Sequence, residues 1–149
     1  MKTAEDIICA NKRHLVTASP ETTITEAVIR MREEKIGAIL VEKDSEIIGI
    51  WTERDLMKEI LKPNFDPSII TIESGMTSKL QVGEATDTVC KLMDKFLGLR
   101  LRHLLIKKNN KYIGLLSEGD VMKATMLEKN HELAALNAKH GWEYYEEWK

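Results

Sequence analysis

Nowhere in the 149 residues is there a run of about 20 apolar residues, so no candidate bilayer-spanning helix exists. The start, Met1-Lys2-Thr3-Ala4-Glu5-Asp6, turns acidic at once; this argues against a signal peptide and for a cytoplasmic protein. Cysteine is scarce. Cys9 and Cys90 have no motif spacing, and their apolar neighbours predict packed, reduced thiols rather than a disulfide. His14, His103, His131 and His140 show no ligand spacing with one another or with the cysteines, so no metal is expected. An excess of one charge is missing too: 22 Lys and Arg against 24 Asp and Glu leave a net charge of −2. That balance supplies no general attraction to nucleic acid or to an anionic membrane. Glycine-rich phosphate loops are absent, and no hydroxyl or thiol nucleophile comes with a recognisable base, so no catalytic residues are assigned. The basic stretch Lys107 to Lys111 lacks interleaved aromatics and reads as a hairpin turn.

What the chain does have is a repeat. Ile48-Gly49-Ile50-Trp51-Thr52-Glu53-Arg54-Asp55-Leu56-Met57-Lys58 returns 65 positions later as Ile113-Gly114-Leu115-Leu116-Ser117-Glu118-Gly119-Asp120-Val121-Met122-Lys123. Each copy reads as an apolar strand, a hydroxyl residue, a carboxylate three residues on, and a helix. Upstream of the first copy, Thr3 caps a short helix to Ala10 and Leu15 to Ala18 is a brief strand. A helix from Thr23 carries Ala27, Val28, Met31 and Ile36 on its apolar face, and Gly37 is expected to end it. Ala38 to Val41 and Glu46 to Trp51 form a hairpin through Lys43-Asp44-Ser45, and a helix from Thr52 runs to about Lys62. Lys62 to Ser68, with two prolines, is the linker, so the domains are expected at 1–68 and 69–130. In the second repeat a helix from about Glu84 precedes the Leu104 to Leu116 hairpin. The stretch Phe96 to His103 reads as three residues longer than its counterpart. Residues 131–149 form a tail: Asn130 to Lys139 reads as a separate helix with Leu133 and Leu136 as apolar contacts. Trp142 to Trp148 holds four of the eight aromatics, suited to covering an apolar surface of the module or a dimer interface.

Thr52-x-x-Asp55 and Ser117-x-x-Asp120 admit two readings. A hydroxyl followed three residues later by a carboxylate is a helix capping box, worth about 1 kcal/mol. The same geometry suits a ligand. A helix N-terminus attracts phosphate, and a carboxylate one turn in accepts hydrogen bonds from a vicinal diol. Arg54 adds a guanidinium that forks onto phosphate or is simply a solvated helix residue; Gly119 replaces it in the second copy, so unequal sites are expected.

These motifs, with Gly37-Ala38-Ile39-Leu40-Val41 and Arg102-His103-Leu104-Leu105-Ile106 at the strand starts, resemble a tandem pair of CBS domains, or Bateman module, in a stand-alone protein. The resemblance covers roughly residues 1 to 130. It implies an α/β (α+β) fold of two β-α-β-β-α repeats related by a pseudo-two-fold axis, with the C-terminal tail appended. It also implies clefts that bind AMP, ADP, ATP, NAD or S-adenosylmethionine as a regulatory ligand rather than a catalytic cofactor. In such proteins the aspartate takes the ribose hydroxyls and the Thr or Ser approaches a phosphate. By the same resemblance Arg102 and His103 meet phosphate, the alternative being that both snorkel to the rim and pack there, while Val16 and Ala38 form an apolar adenine wall or plain core. The expected function is a non-enzymatic sensor, a homodimer, that relays ligand binding to an unknown effector protein. The rival is a ligand-independent dimeric scaffold whose Thr/Ser-x-x-Asp motifs are only helix caps.

Overall fold

The structure, a computed structural model, describes residues 1–136; the aromatic stretch Trp142 to Trp148 and the end of the expected tail helix lie outside them. The described chain is mixed α/β, with five α-helices and two three-stranded sheets. It divides into two compact units: Arg13–Val82, and Met1–Lys12 together with the chain from Gly83 onward.

In the Arg13–Val82 unit, β1 (Thr17–Ala18) pairs in parallel with β2 (Ala38–Lys43), which pairs antiparallel with β3 (Glu46–Thr52). Helix α2 (Ile24–Glu34) starts at a capping box in which Thr23 Oγ1 accepts from Glu26 N–H and the Glu26 carboxylate accepts from Thr23 N–H. It buries Ile24, Ala27 and Met31, whose 3–4-residue spacing forms one stripe. That stripe closes over Ile39, Val41 and Trp51 of the sheet. Helix α3 (Glu53–Ile60) follows β3, and a 3-10 turn (Ile72–Ser74) packs back on the same strand. Gly49 makes this close approach feasible: a Cβ there would lie 2.5 Å from Met76 Sδ.

The other unit repeats the plan. Strand β4 (Val82–Glu84) heads the β4-β5-β6 sheet, with β5 (His103–Lys108) and β6 (Lys111–Ser117) antiparallel. Helix α4 (Val89–Leu99) buries Val89, Leu92 and Phe96, and α5 (Glu118–Leu136) buries Val121 and Ala124. The place held by the 3-10 turn in the first unit belongs here to α1 (Ala4–Asn11), which comes from the start of the chain. Ala4 and Ile7 of α1 are buried, and Ile8 lies over Gly114, where a Cβ would stand 2.6 Å from Ile8 Cδ1.

Several local expectations are corrected. Gly37 does not terminate α2: the left-handed cap is Lys35 at φ 55°, and no glycine among the described residues has positive φ. Its counterpart is Arg100 at φ 51°, while Gly98 lies inside α4. With both caps located, α2 and α4 are each 11 residues long and β2, β3 and the start of α3 recur at the same offset as β5, β6 and the start of α5, so the second repeat has no three-residue insertion. Helix α4 begins at Val89 rather than near Glu84, because Asp87 turns back to accept the Glu84 N–H and Thr88 supplies the cap. After Gly119 in its first turn, α5 meets no further glycine and no proline before Leu136, so it is one helix rather than two. Leu133, expected as an apolar contact, is 54% exposed. Both thiols are free and exposed rather than packed, since Cys9 and Cys90 fall outside the buried stripes of α1 and α4.

Candidate functional site

Strand register builds the same corner in each unit. In the first, Ala38 stands opposite Thr52, and Glu53 N–H donates to the Gly37 carbonyl at 3.1 Å. In the second, His103 stands opposite Ser117, and Glu118 N–H donates to the Arg102 carbonyl at 3.2 Å. The last residue of each hairpin thus stands immediately before the first residue of a helix, and the start of the preceding strand lies directly beside it.

At the first corner Asp55 is 6% exposed, and its Oδ2 accepts from Thr52 N–H (2.9 Å) and Thr52 Oγ1–H (3.0 Å). Its Oδ1 faces the Lys58 ammonium at 3.8 Å, a weak contact because Lys58 is 68% exposed. Arg54 is exposed on the same turn. Val16 and Ala38 are both buried; the Val16 carbonyl accepts from Leu40 N–H at 3.1 Å, and Val16 belongs to the core that α2 covers. Ala38, Thr52 and Asp55 are therefore brought together.

At the second corner Asp120 Oδ2 accepts from Ser117 N–H (2.8 Å) and Ser117 Oγ–H (2.6 Å), while Ser117 Oγ accepts from Asp120 N–H (3.1 Å). Asn11, at the end of α1, donates its side-chain amide to Asp120 Oδ1 at 3.2 Å. His103 is half-buried beside Ser117 in the register, and Arg102 is exposed one residue before it. The sequence pattern singled out every one of these residues except Asn11.

Three further features carry no sequence motif. Asp87, 2% exposed, is bonded by Lys91 and Lys95, each at 2.6 Å, and by Glu84 N–H at 3.0 Å. Burial raises its pKa, but the two ammonium groups and the amide more than offset that and hold it at about 2. Glu59 is buried on α3, bonded to Lys62 at 2.6 Å. A cavity of about 470 Å³ opens between α2 and α3, with Val28, Met31, Ile36, Trp51 and Leu56 as its apolar lining and Arg32, Lys35 and Glu53 among its polar lining. Gly37 lines it too, so the cavity reaches the Gly37–Glu53 edge of the first corner, while Thr52 and Asp55 are not among its lining residues.

No group of three or more metal-ligating side chains occurs among the described residues. No described helix is long and apolar enough to cross a membrane.

The chain shares 32% identity over 123 residues with CBS domain-containing protein CBSX3, mitochondrial, of Arabidopsis thaliana, covering 79% of this chain and 60% of the relative. The chain thus spans less than two thirds of that relative's length. A CBS-domain containing protein from Agrobacterium tumefaciens superposes with a TM-score of 0.77 at 30% identity, covering 83% of this chain and 99% of that one. The same fold is seen in a Pyrobaculum aerophilum CBS domain protein complexed with AMP (TM-score 0.72, 19% identity, covering 87% and 99%). It is seen again in the CBS domain pair of protein MJ0100 with 5′-methylthioadenosine and S-adenosyl-L-methionine (TM-score 0.73, 17% identity, covering 86% and 98%). The family model for the CBS domain matches residues 4–62 and again 69–127, and the chain belongs to the CBS-domain family, carrying two copies of the domain in tandem.

Proposed function

We propose that the protein is a regulatory module that binds an adenosine-containing ligand at its two strand-to-helix corners and passes the resulting conformational change to a separate effector protein. The observation that carries this reading is the duplicated corner. Two helix N-termini each hold a hydroxyl and a carboxylate, in the same register, beside the start of a buried strand. A carboxylate so placed suits a ribose diol, and the helix N-terminus beside it suits a phosphate. At the first corner Val16 and Ala38 would contribute apolar surface to an adenine and Arg54 would meet phosphate; at the second, Arg102 and His103 would supply the cationic and hydrogen-bonding groups. The fold-level neighbours complexed with AMP, or with 5′-methylthioadenosine and S-adenosyl-L-methionine, support the ligand class. AMP, ADP, ATP, NAD and S-adenosylmethionine are the candidates, and such a ligand shifts the conformational equilibrium only by its differential affinity for the two states. The role is sensing, without catalysis.

The test is calorimetry with AMP, ATP, NAD and S-adenosylmethionine. Saturable binding to at least one, weakened by Asp55→Ala or Asp120→Ala, is expected; no binding to any member sinks the sensor reading.

The helix faces support a homodimer. Helix α3 is inside out: it buries Asp55 and Glu59 while Met57 and Ile60, together with Leu61 just past its end, are 67%, 53% and 84% exposed. Ile29 of α2 is 52% exposed as well. A second copy laid on this face and into the α2–α3 cavity would cover them. Ile60→Glu should then shift the molecule from dimer to monomer in sedimentation; an unchanged mass would remove this assignment.

One observation favours the rival reading, a ligand-independent scaffold. Thr3 with Asp6, and Thr23 with Glu26, make the same reciprocal hydrogen bonds at the starts of α1 and α2, where no ligand role is assigned. Under that reading the aspartate variants lose only capping-sized stability.

A further inference from the structure

Asp120 differs from Asp55 in a way the duplicated motif does not announce. Its Oδ1 is held at 3.2 Å by the Asn11 amide, from a residue 109 positions earlier. Asn11 is the last residue of α1, and α1 is anchored along its length. Ala4 and Glu5 N–H groups donate to the carbonyls of Asp87 (2.8 Å) and Ala85 (3.0 Å), and Ile8 covers Gly114. The left-handed Lys12 ends the helix directly after Asn11, with its N–H on the Ile8 carbonyl at 3.2 Å. Asn11 therefore has a fixed backbone beside the second corner. Among the described residues, the first corner has the exposed Lys58 at 3.8 Å in the same relation to Asp55.

A primary amide has two N–H donors and a carbonyl with two lone pairs. Asn11 is half-buried, and its one side-chain hydrogen bond to a described residue is the N–H given to Asp120. The carbonyl is left to accept. A cis-diol needs two neighbouring acceptors, and at this corner the Asp120 carboxylate lies within hydrogen-bond distance of an amide that also carries a carbonyl.

We infer that Asn11 is a specificity-determining residue of the Asp120 corner: it positions the carboxylate and accepts one hydroxyl of a ribose diol whose other hydroxyl goes to Asp120. The inference rests on the sensor reading above and adds to it a residue and a consequence. The Asp120 corner discriminates ribose from deoxyribose more steeply than the Asp55 corner, which has no such amide.

The experiment is calorimetry of the full chain with AMP and its 2′-deoxy and 3′-deoxy analogues, in wild type and Asn11→Ala, repeated in an Asp55→Ala background to isolate the second corner. Asn11→Ser serves as a second variant should the alanine form fold poorly. Wild type should prefer AMP over at least one deoxy analogue, and Asn11→Ala should weaken AMP about tenfold while leaving that analogue nearly unchanged, collapsing the ratio. An unchanged ratio overturns the proposal. Equal weakening of AMP and both analogues also overturns it, because that is the signature of a merely structural residue. Failure of wild type to bind any adenosine ligand marks failure of the sensor reading itself, and the assignment to Asn11 falls with it.

Discussion

Replacing Asp55 and Asp120 separately by alanine measures how far the two repeats have diverged energetically. Asp55→Ala removes two hydrogen bonds, from Thr52 N–H and Oγ1–H, and leaves that amide without its carboxylate at a half-buried position. Loss of a cap of this kind costs about 1 kcal/mol. The contact to Lys58 adds little, since the ammonium is mostly in water. Asp120→Ala removes the equivalent pair from Ser117 and, in addition, the hydrogen bond from Asn11. That bond joins α1 to the start of α5, and a hydrogen bond to a charged acceptor contributes roughly 1.5 kcal/mol or more. Asn11 is half-buried and partly rehydrates, which brings the extra cost down to about 1 kcal/mol. Asp120→Ala should therefore lose about 2 kcal/mol where Asp55→Ala loses about 1. Urea unfolding monitored by circular dichroism, with the slopes compared to confirm a common denatured state, reads both numbers. Equal losses, or a larger loss for Asp55→Ala, would refute the idea that α1 is energetically tied to the second corner.

Other consequences are as direct. Because the folded Asp87 carboxyl sits at about 2, below its ordinary 3.8, its contribution is present above pH 3.8 and is lost as the pH falls toward 2. Discounted for the exposed lysine ends, this amounts to roughly 1–2 kcal/mol, and Asp87→Asn should flatten that part of a stability-versus-pH curve. Ser45 sits in the left-handed region at φ 65° within a two-residue hairpin turn, so Ser45→Gly should raise stability by about 1 kcal/mol in the same unfolding assay. Gly114→Ala drives a Cβ against three atoms of Ile8 on a docked helix, whereas Gly49→Ala meets chiefly the flexible end of Met76. The former should cost about 2–3 kcal/mol and the latter about 1, measured by thermal melting.

Much of the fold was legible because its signals are local. A Thr or Ser with an acid three residues on, a stripe at helical spacing, and two apolar runs joined by Asp-Ser or Asn-Asn each act within one turn of chain, so the elements and the repeat could be read off. The same locality misled where another residue could do the usual residue's work. Lysine and arginine, rather than glycine, take the left-handed caps after α2 and α4, and that substitution created the apparent three-residue insertion.

The corners were legible only in part. Thr52, Asp55, Ser117 and Asp120 declare themselves by spacing, and register then sets Ala38 and His103 beside them. Asn11 declares nothing: an asparagine at the end of a short helix has no spacing to a carboxylate 109 residues away, and the two meet because α1 packs on the second repeat's sheet. The clamp of Lys91 and Lys95 on Asp87 and the outward-facing apolar side of α3 are hidden for a related reason. Charge and hydropathy along a helix say that it has two faces, but which face is covered depends on what the rest of the chain brings to it.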